Sequence, residues 1–226
     1  VITHAVVVPH APLLVPEISP GPAPELAALR EACSSAVRRL GDRWVAVGAH
    51  SDNLIVGPAV AGSFRGYGVD LRVGLSEGDH DEQVLPLPAL IGGWLREVAG
   101  AAEVQARLVA DDTGPADCAR IGAELADREG VGLLVLGDGS NRHGPKSPGS
   151  EDERAPGFDE AIAKALARAD SEALLAVDPA LAGELGAGGR VPWQVLAGTG
   201  GGWQGELLYS AAPFGVGYHV AVWERG

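Results

Sequence analysis

Three histidines stand where imidazole chemistry is easiest to build. His10 follows an apolar run in VVVPHAPLLVPE, His50 follows a second in VAVGAHSD, and His143 follows a third in LLVLGDGSNRH. Neutral imidazole is the commonest side-chain metal ligand and the usual general acid or base near neutral pH. Each apolar run reads as a buried strand, and in α/β sheets ligands gather where strands end and loops begin. Three imidazoles arriving from three strand ends suit one common site. The alternative is that each only caps its loop with a hydrogen bond.

The remaining histidines ask for less. His4 and His219 fall inside expected strands and read as satisfied core or edge residues. His80 lies in SEGDHDEQ, where Asp79, Asp81 and Glu82 lack the spacing of a calcium loop, so a solvated charge run is the expectation. Gly137-Asp138-Gly139-Ser140 looks like a phosphate-cradling turn, but Arg142 occupies the sixth position and no Walker lysine follows. The run Gly198 to Gly202 has no strand directly before it. A Gly-x-Ser-x-Gly nucleophile elbow is absent, which argues against a serine hydrolase.

The elements that must position these residues follow from apolar periodicity. Ile2–Pro9, Trp44–Ala49 and Val131–Leu136 read as interior strands, β-branched and with little alternation, as a sheet covered on both faces requires. Helices are expected over Glu25–Leu40, Leu87–Val98, Ala116–Arg128, Phe158–Ala169 and Pro179–Leu185, with another opened by Pro192. Ala173–Val177 reads as a short strand, and Tyr218–Trp223 closes the sheet. The alternation predicts a single α/β domain over residues 1–226, a layered sandwich with a central, largely buried sheet flanked by helices. Gly144–Gly157 reads as a loop inside that domain.

Composition bounds the partners. The chain has 226 residues, 17 basic against 30 acidic, and a net charge of −13. That balance argues against nucleic acid or an anionic membrane surface, both of which select basic faces. Two distant cysteines, Cys33 and Cys118, form neither a disulfide framework nor a zinc knuckle, and point to a reducing cytoplasm. Val1–Ile18 lacks the basic region of a signal peptide, and Leu207–Trp223 is too broken by Pro213, Gly215 and Gly217 to span a bilayer. Trp193 and Trp203 suit either the core or an interface between copies in a homo-oligomer. Arg142, Lys146, Arg154 and Arg190 read as solvated loop charge or as a positive pocket rim.

Four segments together carry a resemblance. PHAPLLVPE, the GAH after the second strand, GDGSNRH and GFDEAIAKAL resemble the class III extradiol dioxygenase superfamily of LigB-like proteins. A small actinobacterial branch with GDGS, PG, FD, WQVLAG and PFGVGY segments is the best match. The resemblance runs from about Val8 to Trp223. It implies the LigB-like α/β fold and a non-haem iron oxidoreductase that cleaves aromatic rings in aromatic compound catabolism. Fe(II) would be held by two histidines and a carboxylate, leaving positions for catechol and dioxygen. By context, His10 and His50 correspond to the two metal ligands, and His143 to the acid/base that serves the bound substrate.

The third ligand is where the chain departs from the family. Alignment places Gly188 or Gly189 at that position, whereas the related Memo-type proteins carry cysteine there. Glu184, a few residues upstream, substitutes only if its loop shifts. Two readings therefore stand. One is an extradiol dioxygenase-like protein with an incomplete Fe(II) site and a catecholic substrate. The other is a non-catalytic, Memo-like binding or regulatory protein whose vestigial pocket holds another divalent metal or none. Metal-assisted hydrolysis is a third, with Asp52 or Glu17 as a base that no motif singles out.

Overall fold

The computed structural model describes residues 1–21 and 23–226. In chain order the strands among these are β1 (His4–Val8), β2 (Arg43–His50), β3 (Leu54–Val56), β4 (Ala61–Ser63), β5 (Arg72–Gly74), β6 (Glu103–Ala110), β7 (Gly132–Leu136), β8 (Trp203–Ala211) and β9 (Tyr218–Arg225). Seven of them form one mixed sheet in the spatial order β3-β6-β2-β7-β1-β9-β8. The central four, β6-β2-β7-β1, run parallel, while β3, β9 and β8 are antiparallel additions at the two sides. β4 and β5 pair as a separate ribbon.

Seven described helices complete the layers: α1 (Pro24–Val37), α2 (Leu87–Ala99), α3 (Pro115–Ala126), α4 (Ala155–Arg168), α5 (Ser171–Leu175), α6 (Pro179–Glu184) and α7 (Arg190–Ala197). Side chains alternate across a strand, so each central strand feeds both faces. Val6, Val8, Trp44, Ala46, Leu134 and Leu136 join the core beneath α1 and α2. Ala5, Val7, Val45, Val47, Leu133 and Val135 join the core beneath α3, α4 and α7. Two cores on opposite faces of one sheet make a three-layer α/β sandwich, the architecture that the alternation of strands and helices predicts.

Several expectations are corrected. Ala173–Val177 is not a strand: α5 covers Ser171–Leu175, its N-terminus capped by the Asp170 carboxylate, which accepts from the Ala173 N–H at 2.9 Å. A short apolar run does not by itself separate strand from helix, and here the cap decides for helix. β6 and β8 lie outside the strands expected from sequence. β6 buries Val104, Ala106 and Leu108 and turns Gln105 and Arg107 outward, so its polar half hides it from a search for continuous apolar runs. β8 lies outside β9, so Tyr218–Trp223 does not close the sheet. Trp193 and Trp203 are buried in the α4/α7 core, which settles their alternative in favour of packing. Among the described residues, no helix is long and apolar enough to cross a membrane.

Candidate functional site

The parallel strands carry the site because their carboxyl ends share one edge of the sheet. Val8 pairs with Leu136, and Leu136 pairs with Gly48 on the other side. His10, Asp138 and His50 therefore each lie two residues beyond the same rung, on β1, β7 and β2 in that spatial order. Neighbouring strands are about 4.8 Å apart, so the histidine backbones stand about 10 Å apart with Asp138 between them. The aspartate escapes a reading of the sequence, because the glycines of the GDGS segment are its more conspicuous feature.

Asp138 is tied into this edge. Its Oδ1 accepts from the His10 backbone N–H at 3.0 Å and lies 3.9 Å from the His10 Nδ1. Its carbonyl accepts from the Gly189 N–H at 2.8 Å, which draws the loop before α7 over the strand ends. That approach requires glycine at position 137, because a Cβ there would lie 2.4 Å from the Gly189 Cα. The same approach brings Gly188 against His10.

The two imidazoles differ in their partners. His10 Nδ1 is buried and has no hydrogen-bond partner among the described residues. His50 Nδ1 lies 3.3 Å from the Asp52 carbonyl and 3.2 Å from the Asp52 N–H. The Asp52 N–H donates to Nδ1, so Nδ1 is the acceptor and the proton of the neutral ring sits on Nε2. Beside these strand ends lies a cavity of about 360 Å³, lined by Ala49, Asp111, Gly186, Gly188 and Arg190 among others. Arg190 is buried there, its guanidinium donating to the carbonyls of Thr113 at 2.5 Å and Asp111 at 2.6 Å.

His143 is placed differently. It lines a second cavity of about 300 Å³ with Asp159, Ser210 and His219, and none of His10, His50 and His143 is among the residues lining the first. Its Nε2 donates to Asp159 Oδ2 at 2.5 Å, and His219 Nε2 donates to Asp159 Oδ1 at 2.9 Å. Nothing in the sequence marks this pairing, since the three residues come from a loop, a helix and a strand far apart in the chain. His219 is buried and hydrogen-bonded, as expected of a satisfied core residue.

The other candidates are engaged elsewhere. Glu184 is exposed and pairs with Arg154 at 2.9 Å. Arg154 also binds Asp152, whose carboxyl it holds down at about 2, chiefly through side-chain hydrogen bonds. Of the four basic residues considered for a pocket rim, Arg190 alone lines the first cavity. In the acidic loop, Asp79 pairs with Arg72 and Glu82 with Arg65, as solvated surface charge does. Among the described residues, no group of three or more His, Cys, Asp or Glu side chains gathers as a metal site. His10 and His50 stand at the strand ends beside the first cavity but are not among the residues that line it. As donors they do not fit a closed triad.

No family model matches the sequence, and no curated protein matches it. The chain is similar in fold to the crystal structure of an uncharacterized protein, JW3007, from Escherichia coli K12. The TM-score is 0.61 at 14% sequence identity, covering 99% of this chain and 100% of that one.

Proposed function

We propose that the chain is an extradiol dioxygenase-like protein whose strand-end pocket holds a divalent ion weakly at His10 and His50 and takes a small catecholic ligand beside it. The observation that carries this reading is the placement of His10 and His50 on either side of Asp138, with Gly188 against His10 where the family resemblance puts the third ligand. When bound, Fe(II) would supply Lewis acidity and redox chemistry toward catechol and dioxygen. The protein's part is to bind and orient. His10 Nδ1, buried without a partner among the described residues, gains one when an ion or a ligand proton arrives, which relieves a cost of about 1–3 kcal/mol. Arg190 keeps a fixed positive charge in the cavity wall, which favours an ionised phenol over a neutral one.

The second reading is a binding protein without turnover. It is favoured by His143, whose Nε2 is committed to Asp159. Anaerobic titration of the metal-free protein with Fe(II), followed by oxygen uptake over a panel of catechols, separates the two. Weak Fe(II) binding that is lost in His10→Ala and His50→Ala, with little cleavage, is the expected result. Tight binding with rapid, His143-dependent oxygen consumption would overturn the incomplete site. Absence of any Fe(II) binding would overturn the proposal as a whole.

A further inference from the structure

Away from the strand-end pocket, a buried carboxylate organises a second set of reactive groups. Asp159 on α4 is almost fully buried and accepts on both oxygens. Oδ1 receives His219 Nε2 at 2.9 Å, while Oδ2 receives His143 Nε2 at 2.5 Å and the Ser140 backbone N–H at 3.0 Å. The chain leaves room for it: a Cβ on Gly139 would meet Asp159 Oδ1 at 2.1 Å, and one on Gly217 would meet Oδ2 at 2.3 Å. An ionised carboxylate only accepts, so His219 must carry its proton on Nε2. Its Nδ1 is then a lone pair, and Ser210 Oγ, 3.0 Å away, must donate to it.

The sequence Ser210 Oγ–H to His219 to Asp159 is the arrangement of an activated nucleophile: a hydroxyl on a base, and the base oriented by a carboxylate. His219 itself is buried, with the Trp193 ring edge-on at 6.1 Å between centroids, so the imidazole has a fixed orientation. Ser210 is exposed on the edge strand β8, facing its cross-strand partner His219 on β9. Hydroxyl, imidazoles and carboxylate together line the cavity of about 300 Å³, whose other walls include Pro156, Ala163, Ala211 and Ala212. Small apolar walls around a polar floor suit a short acyl chain, and Glu160, which also lines the cavity, disfavours an anionic one.

We propose that Ser210 is a nucleophile, activated by His219 and Asp159, that accepts acyl groups from small neutral esters. Ser210 Oγ adds to the ester carbonyl carbon as its proton moves to His219 Nδ1, and Asp159 stabilises the imidazolium. The tetrahedral adduct then collapses. The carbon–alkoxide bond breaks, the alkoxide takes the proton from Nδ1, and an acyl-serine remains. Water gives a proton to Nδ1 and adds to the acyl carbon. Collapse returns that proton to Ser210 and releases the acid, for a net conversion of ester and water into acid and alcohol. The proposal is independent of any ion at His10 and His50.

The test uses the whole protein in excess EDTA, so that an ion at the other pocket contributes nothing. Diisopropyl fluorophosphate followed by intact mass and peptide mapping reads the nucleophile, and p-nitrophenyl acetate reads turnover. One adduct, on Ser210, is expected, with ester hydrolysis falling at least tenfold in Ser210→Ala, an exposed substitution whose fold circular dichroism checks. No adduct on Ser210, or hydrolysis at the wild-type rate in Ser210→Ala, overturns the proposal. So does an adduct on Ser210 that forms at the wild-type rate in folded His219→Gln. Should that variant not fold, Ser210→Cys gives the same reading: iodoacetamide should alkylate the introduced thiol faster at pH 7 than it alkylates a free thiol peptide. Alkylation no faster than the peptide overturns activation by His219.

Discussion

Gly188 stands against the His10 imidazole, and a Cβ built on it would lie 3.5 Å from His10 Cε1 with no other heavy atom within 4 Å. The position that the resemblance assigns to a third metal ligand is thus beside His10, the first of the two proposed ligands, and open. Gly189 is not: its Cβ would lie 2.1 Å from Trp193 Cζ2. Gly188 also lacks a positive φ, so a side chain there brings no backbone strain. Gly188→Glu or Gly188→Cys should keep the fold and tighten divalent-ion binding by about tenfold or more, as a charged ligand replaces water. Gly189→Glu should destabilise the protein instead. Calorimetric titration with Fe(II) and Zn(II), together with thermal melts, checks both halves.

Asp138 carries the nearest fixed negative charge to His10. Its replacement by asparagine keeps an oxygen for the His10 backbone N–H but removes the charge. Divalent-ion affinity should fall by about tenfold, with little change in melting temperature, because a cation held by imidazoles depends on nearby anions to offset its charge. Unchanged affinity in Asp138→Asn would show that this carboxylate plays no part at the pocket.

How far the sequence alone can reach differs between fold and site. The three interior strands are legible because Val6 to Val8, Val45 to Val47 and Leu133 to Leu136 are apolar on both faces, which only a doubly covered sheet demands. The placement of His10 and His50 at strand ends follows from the same runs. What cannot be read is who faces whom across the chain. Asp159 meets His143 and His219 only because α4 packs beside β8 and β9, and no local spacing encodes that packing. β6 stays hidden because its outward Gln105 and Arg107 break the apolar run. Gly188 is legible as an absence of ligand, but its open face toward His10 needs the loop drawn down by Asp138.

Asp159 also predicts a stability effect apart from any chemistry. Asp159→Ala removes the only acceptor among the described residues for His143 Nε2, His219 Nε2 and the Ser140 N–H, all at least partly buried. Leaving a buried donor without its partner costs about 1–3 kcal/mol. Asp159→Asn, which retains one acceptor oxygen, should cost less. Urea denaturation at pH 7 measures the difference, and a loss under about 1 kcal/mol for the alanine variant would mean that solvent replaces the carboxylate easily.

Alkaline pH should loosen the other face of the sheet. Burial pushes the Cys33 thiol far above its ordinary range, and the Asp138 charge adds to the shift. Burial, then Asp138, likewise raises the Tyr218 phenol. Both groups are therefore neutral in the folded chain at pH values where the unfolded chain begins to ionise, at about 8.5 for cysteine and about 10 for tyrosine. A raised folded value means that the native state holds its proton longer than the unfolded state does. The associated stability is complete below the unfolded values and is lost as pH rises past them, by up to about 1.4 kcal/mol per pH unit for each group. The urea midpoint should hold steady from about pH 7 to 8 and then decline, with Cys33→Ala flattening the onset and Tyr218→Phe flattening the later part. A Cys33→Ala variant that keeps the full slope from its onset would assign the alkaline loss to other groups.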